Sequence, residues 1–296
     1  MKPIRLLTIG NSFAENALTY LEALANSTDS VRFEVGRANL GGCSLEKHWN
    51  LAVYTSKHPE YKTYRLGTSP DGQPCEATLQ AALSAAPWDY VTLQQVSHKS
   101  WRRETFQPHL GLLHDLVSQR APQARVLLHQ TWAYRSDTPF LPQNSLTQEL
   151  MFERIRAAYA FYASEFGCRV LPSGEAVQEA RRAPGRTFVW PELDFDYQNA
   201  EAPALPRQEH SLAVGWHWAI NGSAEGIPEM RVDTNHLNSR GCYLTGCVWF
   251  ECLTGLDVRA VTFRPADIDE DTALFLRTTA HEVSRRYGPL PGISPT

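Results

Sequence analysis

The 296-residue chain has no Cys-x-x-Cys pair, no His-Glu-x-x-His, no phosphate-binding loop and no Gly-x-Gly-x-x-Gly fingerprint. These absences leave zinc ribbons, zincin-type metalloproteases, ATP chemistry and dinucleotide chemistry without sequence support. No apolar run approaches the ~18 residues needed to span a bilayer, so no membrane partner is expected. Lys and Arg number 28 against 32 Asp and Glu, a formal charge of −4, so the concentrated basic charge of a nucleic-acid surface is missing. Low-complexity stretches and internal repeats are absent too. What is present is ordinary for a folded chain: 43% hydrophobic and 20% charged residues, too apolar for disorder. The run Ile4 to Ile9 is short for a signal-peptide core, is broken by Arg5, and no small-residue cleavage site follows it. If this is the whole natural chain, a cytoplasmic protein is expected; a trimmed leader would make it an exported one.

The six cysteines are Cys43, Cys75, Cys168, Cys242, Cys247 and Cys252. The last three are five residues apart, which on a helix turns each about 140° from the one before, so they share no ligand face. Reduced thiols acting as small hydrophobes are expected, with a Cys43–Cys75 disulfide as the alternative in an exported protein. Asn26-Ser-Thr and Asn221-Gly-Ser fit the glycosylation triplet, which matters only on a secretory route.

Along the chain, short apolar runs alternate with helical patterns. Strands are expected at 4–9, 31–38, 61–66, 90–94, 125–129 and 168–171, with a turn at Ser69-Pro-Asp-Gly72. Helices are expected at 16–26, 45–54, 79–85, 106–119, 147–166 and 175–181, then at 241–253 and 269–287. This order predicts an α/β fold, a three-layer α/β/α sandwich around a mostly parallel, flavodoxin-like sheet. Residues 183–230 are rich in Pro, Trp and His without a clean period. We read them as an irregular insertion in a single domain spanning 1–296.

Ligands of open α/β sheets bind at the carboxyl ends of strands, so the residues just after each strand are the candidates. Ser12 follows the first strand, where a hydroxyl would stand near the positive end of a helix and could act as a nucleophile. Its structural alternative is a helix cap. A serine needs a base, normally a His oriented by a carboxylate, and Asp233 and His236 have a spacing that lets a turn join them. An oxyanion needs fixed donors: Gly41 offers an unobstructed N–H, and Gln94 and Gln95 offer amides at a strand end. Strand-end polar residues and Gly-Gly turns also occur without function.

The order of these blocks resembles the SGNH (GDSL-like) hydrolases, and within them the DUF4886 branch. The Gly-Asp-Ser-like block is Leu7-Thr-Ile-Gly-Asn-Ser-Phe13, Asn-x-Gly is Asn39-Leu40-Gly41, and Asp-x-x-His is Asp233 to His236. The superfamily's Gly-x-Asn-Asp block is replaced by Leu93-Gln94-Gln95-Val96-Ser97-His98, so its Asn donor is missing, and position 11 is Asn instead of Asp. The resemblance implies ester hydrolysis through an acyl-enzyme. Ser12 would be the nucleophile, His236 the base and Asp233 its orienting carboxylate. The N–H groups of Ser12 and Gly41, with an amide of Gln94 or Gln95, would form the oxyanion hole. No metal or organic cofactor is implied.

Trp132, Trp190, Trp216, His217 and Trp218 could wall the site, since aromatic faces flanked by polar groups suit sugar rings. Their alternative is packing within the insertion. The expected substrate is a small-molecule or oligosaccharide ester, with O-acetyl groups on carbohydrate favoured. A general short-chain esterase or lysophospholipase-like enzyme is the second reading, and a non-catalytic carbohydrate-binding relative the third. A metal site from His210, His217, His236, Asp194 and Asp196 has no supporting spacing. Oligomeric state is left open.

Overall fold

The structure, a computed structural model, describes residues 3–68, 73–220, 226 and 228–288. Five strands form the main sheet: β1 (Ile4–Gly10), β2 (Phe33–Asn39), β5 (Tyr90–Leu93), β6 (Arg125–His129) and β7 (Arg169–Leu171). Two hairpins lie outside it, β3 (Tyr64–Thr68) with β4 (Pro74–Ala77) and β8 (Ala213–Ile220) with β9 (Pro228–Leu237). The main sheet is parallel throughout, in the order β2-β1-β5-β6-β7. Its central strand β5 is buried at every residue, as a strand covered on both faces must be.

The chain leaves β1 in one direction for β2 and later returns on the other side as β5. That reversal opens a crevice at the carboxyl ends of β1 and β5, where open sheets of this kind bind ligands. Helices α3 (Leu45–Lys57), α4 (Leu79–Ser84), α5 (His109–Arg120) and α7 (Gln148–Phe166) cover one face. Helices α1 (Ser12–Leu18), α2 (Leu21–Asn26), α8 (Ser173–Arg182), α9 (Ser239–Thr254) and α10 (Glu270–Tyr287) cover the other, and α6 (Phe140–Gln143) is a single turn before α7. This is the expected α/β/α sandwich. One cluster of buried apolar side chains runs from Leu6 to Val283, and every residue of α9 from Gly241 to Thr254 is buried. Among the described residues, no helix is long and apolar enough to cross a membrane.

The first helix departs from expectation. It starts at Ser12, not Asn16, and breaks between Leu18 and Leu21. Asn11 is the cap: its side-chain oxygen accepts the Phe13 N–H at 3.0 Å, so Ser12 is the first helical residue and its hydroxyl is not used for capping. The region 183–230 is also less irregular than expected, because β8 and the start of β9 fall inside it. Strand β4 was not foreseen. The Ser69–Gly72 turn and Asn221-Gly-Ser lie outside the described residues. All six cysteines are free thiols, with Cys43 buried and Cys75 exposed.

Candidate active site

Asn11 ties together three loops at the carboxyl edge of the sheet. Its amide donates to Cys43 O at 3.0 Å, and its oxygen accepts from the Gln94 amide at 2.9 Å as well as from Phe13. Behind it, the fully buried His48 of α3 holds the end of β1. Nε2 donates to Gly10 O at 2.9 Å, and Nδ1 accepts from Tyr64 Oη at 2.9 Å. Burial lowers the His48 pKa to about 4, so the ring is neutral and its tautomer is set by these two partners. Gly10 is required by close approach, since a Cβ there would stand 2.6 Å from Gln94 Oε1. Ser12 is thereby placed on a short turn with a fixed direction.

Asp233 and His236 arrive on β9. Residues three apart on a regular strand point to opposite faces, about 10 Å apart along the chain, so Asp233 could not reach His236 on an even ladder. The ladder is not even. Ala213 pairs with Leu237 and Gly215 with Asp233, so two steps on β8 match four on β9 and residues 234–236 bulge out. Within the bulge, Asp233 Oδ1 accepts the N–H groups of Asn235 and His236 at 3.2 and 3.0 Å. Its other oxygen lies 2.8 Å from His236 Nδ1.

Three anchors hold the bulge over α1. Trp132 Nε1 donates to Asn235 O at 2.8 Å, Arg135 N to Thr234 O at 2.8 Å, and Leu237 N to Asn16 Oδ1 at 3.1 Å. His236 Nε2 then stands 2.8 Å from Ser12 Oγ. The side chains of His236 and Asp233 keep 35% and 27% of their surface exposed, so the constellation is open to a substrate. Half-burial alone would raise the Asp233 carboxyl. The hydrogen bonds from the His236 ring and backbone, and the imidazolium charge, outweigh it and bring the pKa to about 2. The same bond to Asp233 lifts His236 above its usual range against the opposing effect of burial.

Among the described residues, the N–H groups of Ser12 and Gly41 have no hydrogen-bond acceptor within the protein. For Ser12 this follows from its place as the first residue of α1, where intrahelical acceptors do not exist. A Cβ on Gly41 would meet nothing within 4 Å, so the space beside that N–H is open.

The expected amide donors are corrected by the structure. Gln94 and Gln95 are each 1% exposed. Gln94 Nε2 donates to Asn11, and Gln95 Nε2 to Thr105 O at 2.8 Å. Gln95 Oε1 accepts from Leu45 N and Val96 N at 3.2 and 2.8 Å. Both side chains brace the loops after β1, β2 and β5 and do not face an oxyanion.

The aromatic wall is corrected as well. Trp132 is fully buried, stacked on Phe13 at 4.0 Å beneath His236, and positions the bulge. Trp190 and Trp216 stack at 5.9 Å and share Tyr197, forming a half-buried aromatic cluster within the insertion. Trp218 is tied to the same segment through Nε1 to Ala204 O at 2.9 Å. By strand alternation, Trp216 and Trp218 project from the hairpin face opposite Asp233, and only His217 shares the Asp233 face. His217 Nδ1 lies 2.9 Å from Gly215 O.

Sequence reasoning noted Asn11 without its bracing role and missed His48, Asn16 and Arg135. The side chain of Arg135 is 2% exposed, pairs with the equally buried Asp137, and also binds Gln208 and Ser211 of the insertion. A lone polar residue in an apolar pattern carries no sequence mark of its partner. Far from Ser12, Glu251, Asp257 and His281 bring ligand-capable atoms within 4.8 Å of one another. His281 Nδ1 already lies 2.9 Å from Glu251 and Arg259 pairs with Asp257 at 2.6 Å, so these groups are partnered by one another.

The chain belongs to the family described as Domain of unknown function (DUF4886), whose family model matches residues 5–191. It is similar to a DUF4886 family protein from Bacteroides uniformis ATCC 8492, at 25% identity and a TM-score of 0.71 over 98% of each chain. Its structural neighbours include SGNH and GDSL-like proteins. A candidate SGNH hydrolase from Slackia heliotrinireducens is 21% identical, with a TM-score of 0.44 over 60% of this chain and 83% of that one. A member of the lipolytic protein G-D-S-L family from Veillonella parvula DSM 2008 is 13% identical, with a TM-score of 0.43 over 86% of this chain and 100% of that one. Among curated proteins, none is significantly similar to the chain.

Proposed function

We propose that the protein is a serine esterase that hydrolyses short O-acyl esters, in particular O-acetyl groups on carbohydrate, through an acyl-enzyme on Ser12. The observation that carries the reading is the continuous relay from Asp233 to His236 to Ser12, with 2.8 Å at each step, beside two uncommitted N–H groups. His236 removes the Ser12 proton as Oγ attacks the ester carbonyl, and Asp233 holds the tautomer and stabilises the imidazolium. The tetrahedral oxygen takes its charge against the N–H groups of Ser12 and Gly41. His236 then protonates the leaving alcohol, accepts a proton from water, and the attack of that water releases the acid and restores Ser12. No step needs a metal. A hole with two backbone donors and no side-chain amide is one donor short of the usual set, and each such donor is worth about 100- to 1000-fold in kcat.

The test is release of acid from p-nitrophenyl acetate, butyrate and octanoate by wild type and Ser12→Ala side by side. Turnover that falls with acyl length and vanishes in the variant supports the reading, and acetylated sugars are then the next substrates. Turnover that survives in Ser12→Ala overturns it. A folded wild type inert on all three esters favours the binding-protein alternative.

A further inference from the structure

A cleft of about 530 Å3 opens between the loop that follows β5 and helix α7, lined by Trp101, Arg102, Arg103, Glu104 and Arg154 among others. Arg102 and Arg154 both stand over the Trp101 indole, at 5.4 and 5.5 Å from its centroid, and Arg103 covers Phe161 at 4.5 Å. Among the described residues, none of these three guanidiniums has a carboxylate at ion-pair distance or a hydrogen-bond acceptor. Other arginines are paired, among them Arg5 with Glu34, Arg37 with Glu15, Arg135 with Asp137 and Arg259 with Asp257, whereas these three stand together around one cleft. In a chain with more carboxylates than cations, three unanswered guanidiniums against one lining carboxylate make a local positive field. That field is felt by neighbours, since His98 is held below its usual range by burial and then by the charges of Lys99 and Arg102.

The cleft lies on the catalytic edge of the sheet. Its loop leaves β5, which is paired with β1 and so begins about 4.8 Å from the strand that delivers Ser12. Ser97 Oγ in this loop is 2.8 Å from Tyr134 Oη, and Lys99 reaches Glu46 at 3.4 Å, just after the Gly41 turn. The loop therefore spans from the oxyanion side of the site to α7. Guanidinium forks match carboxylate geometry with two parallel hydrogen bonds, and the Trp101 indole beneath Arg102 and Arg154 holds two such forks beside one another.

We propose that this cleft binds the carboxylates of an acidic saccharide chain, so that the ester cleaved at Ser12 is carried by a uronate-type polysaccharide or oligosaccharide. The second half of this proposal rests on the esterase reading; the binding half does not.

The experiment titrates Ser12→Ala, which cannot turn over substrate, with oligogalacturonate, with a neutral xylo-oligosaccharide of equal length, and with inorganic phosphate. The expected result is saccharide binding that weakens with added salt, at least tenfold tighter for the acidic chain than for the neutral one. Adding R102A and R154A together should cost at least tenfold in that affinity, and R103A alone should cost less. The same arginine substitutions placed in wild type should leave p-nitrophenyl acetate turnover within twofold. Equal affinity for acidic and neutral chains, or affinity unchanged in the arginine variants, overturns the proposal. Inorganic phosphate binding as tightly as the oligosaccharide also overturns it, leaving a simple anion site. Failure of the esterase reading would show separately, as p-nitrophenyl acetate turnover that does not depend on Ser12.

Discussion

Ser12 and His236 reach the same point by different means. Ser12 sits where β1 enters α1, backed by Leu6, Leu7, Ile9 and Phe13, all buried at 1% exposure or less. Its position is a by-product of the parallel sheet and is as firm as the core. His236 sits in a bulge of a two-stranded hairpin outside that sheet, held to the body by the anchors from Trp132, Arg135 and Asn16. The geometry of Ser12 is thus shared with global stability, while that of His236 depends on a few contacts at the edge of the fold. Damage to the two regions should look different: lost folding on one side, lost turnover per folded molecule on the other.

The largest effect on the base side is expected from Asp233→Asn. It keeps the shape but loses the charge and the preferred tautomer, and should cost on the order of 10⁴-fold in kcat with a smaller loss of stability than a core truncation. Trp132→Phe should cost about 10- to 100-fold, because the ring still stacks on Phe13 but the donor to Asn235 O is gone. The split of kcat against KM checks it, with the loss expected in kcat. Leu6→Ala is the opposite case. It should cost about 2–5 kcal/mol in denaturant unfolding and leave kcat of the folded enzyme within about twofold. If Leu6→Ala lowered kcat as steeply as Trp132→Phe, the contrast between the two regions would fail.

The smallest expected effects are in pH. The base must be neutral, so kcat/KM should rise along an acid limb whose midpoint lies above 6.5, the usual histidine value, because Asp233 raises His236. In Asp233→Asn that limb should move down. For stability the signs oppose. The raised His236 contributes fully below 6.5 and loses its contribution as pH rises through the folded value. The depressed Asp233 contributes fully above 3.8 and loses its contribution as pH falls toward about 2. Unfolding curves of wild type and Asp233→Asn across pH 2 to 8 should converge at the acid end. Curves that stay parallel to pH 2 would contradict the ion-paired geometry.

The sheet half was the more legible one, for a physical reason. Buried parallel strands are continuous apolar runs, and their helices carry a 3.6 period. All five strands of the main sheet and the long helices α7, α9 and α10 stood out in sequence within a few residues. Ser12, Asp233 and His236 were singled out by their places along the chain and by the resemblance of their blocks to the SGNH hydrolases, and the structure brings the three within hydrogen-bond reach. The hairpin was not, because Trp216, His217 and Trp218 are large on both faces and hide the period of two. The bulge was invisible too, since its extra residues show only in the pairing with β8. Side-chain direction was the other limit: Gln94 and Gln95 look like free amides in sequence and turn inward because Asn11, Thr105 and Leu45 need partners.

The central claim is that Ser12 is an activated nucleophile. Reaction of the protein with a fluorophosphonate probe, followed by mass spectrometry of its peptides, tests this directly. A single adduct on Ser12, absent in Ser12→Ala and formed far more slowly in Asp233→Asn, is the predicted result. An adduct on another serine such as Ser97, or none on a folded wild type, would contradict it.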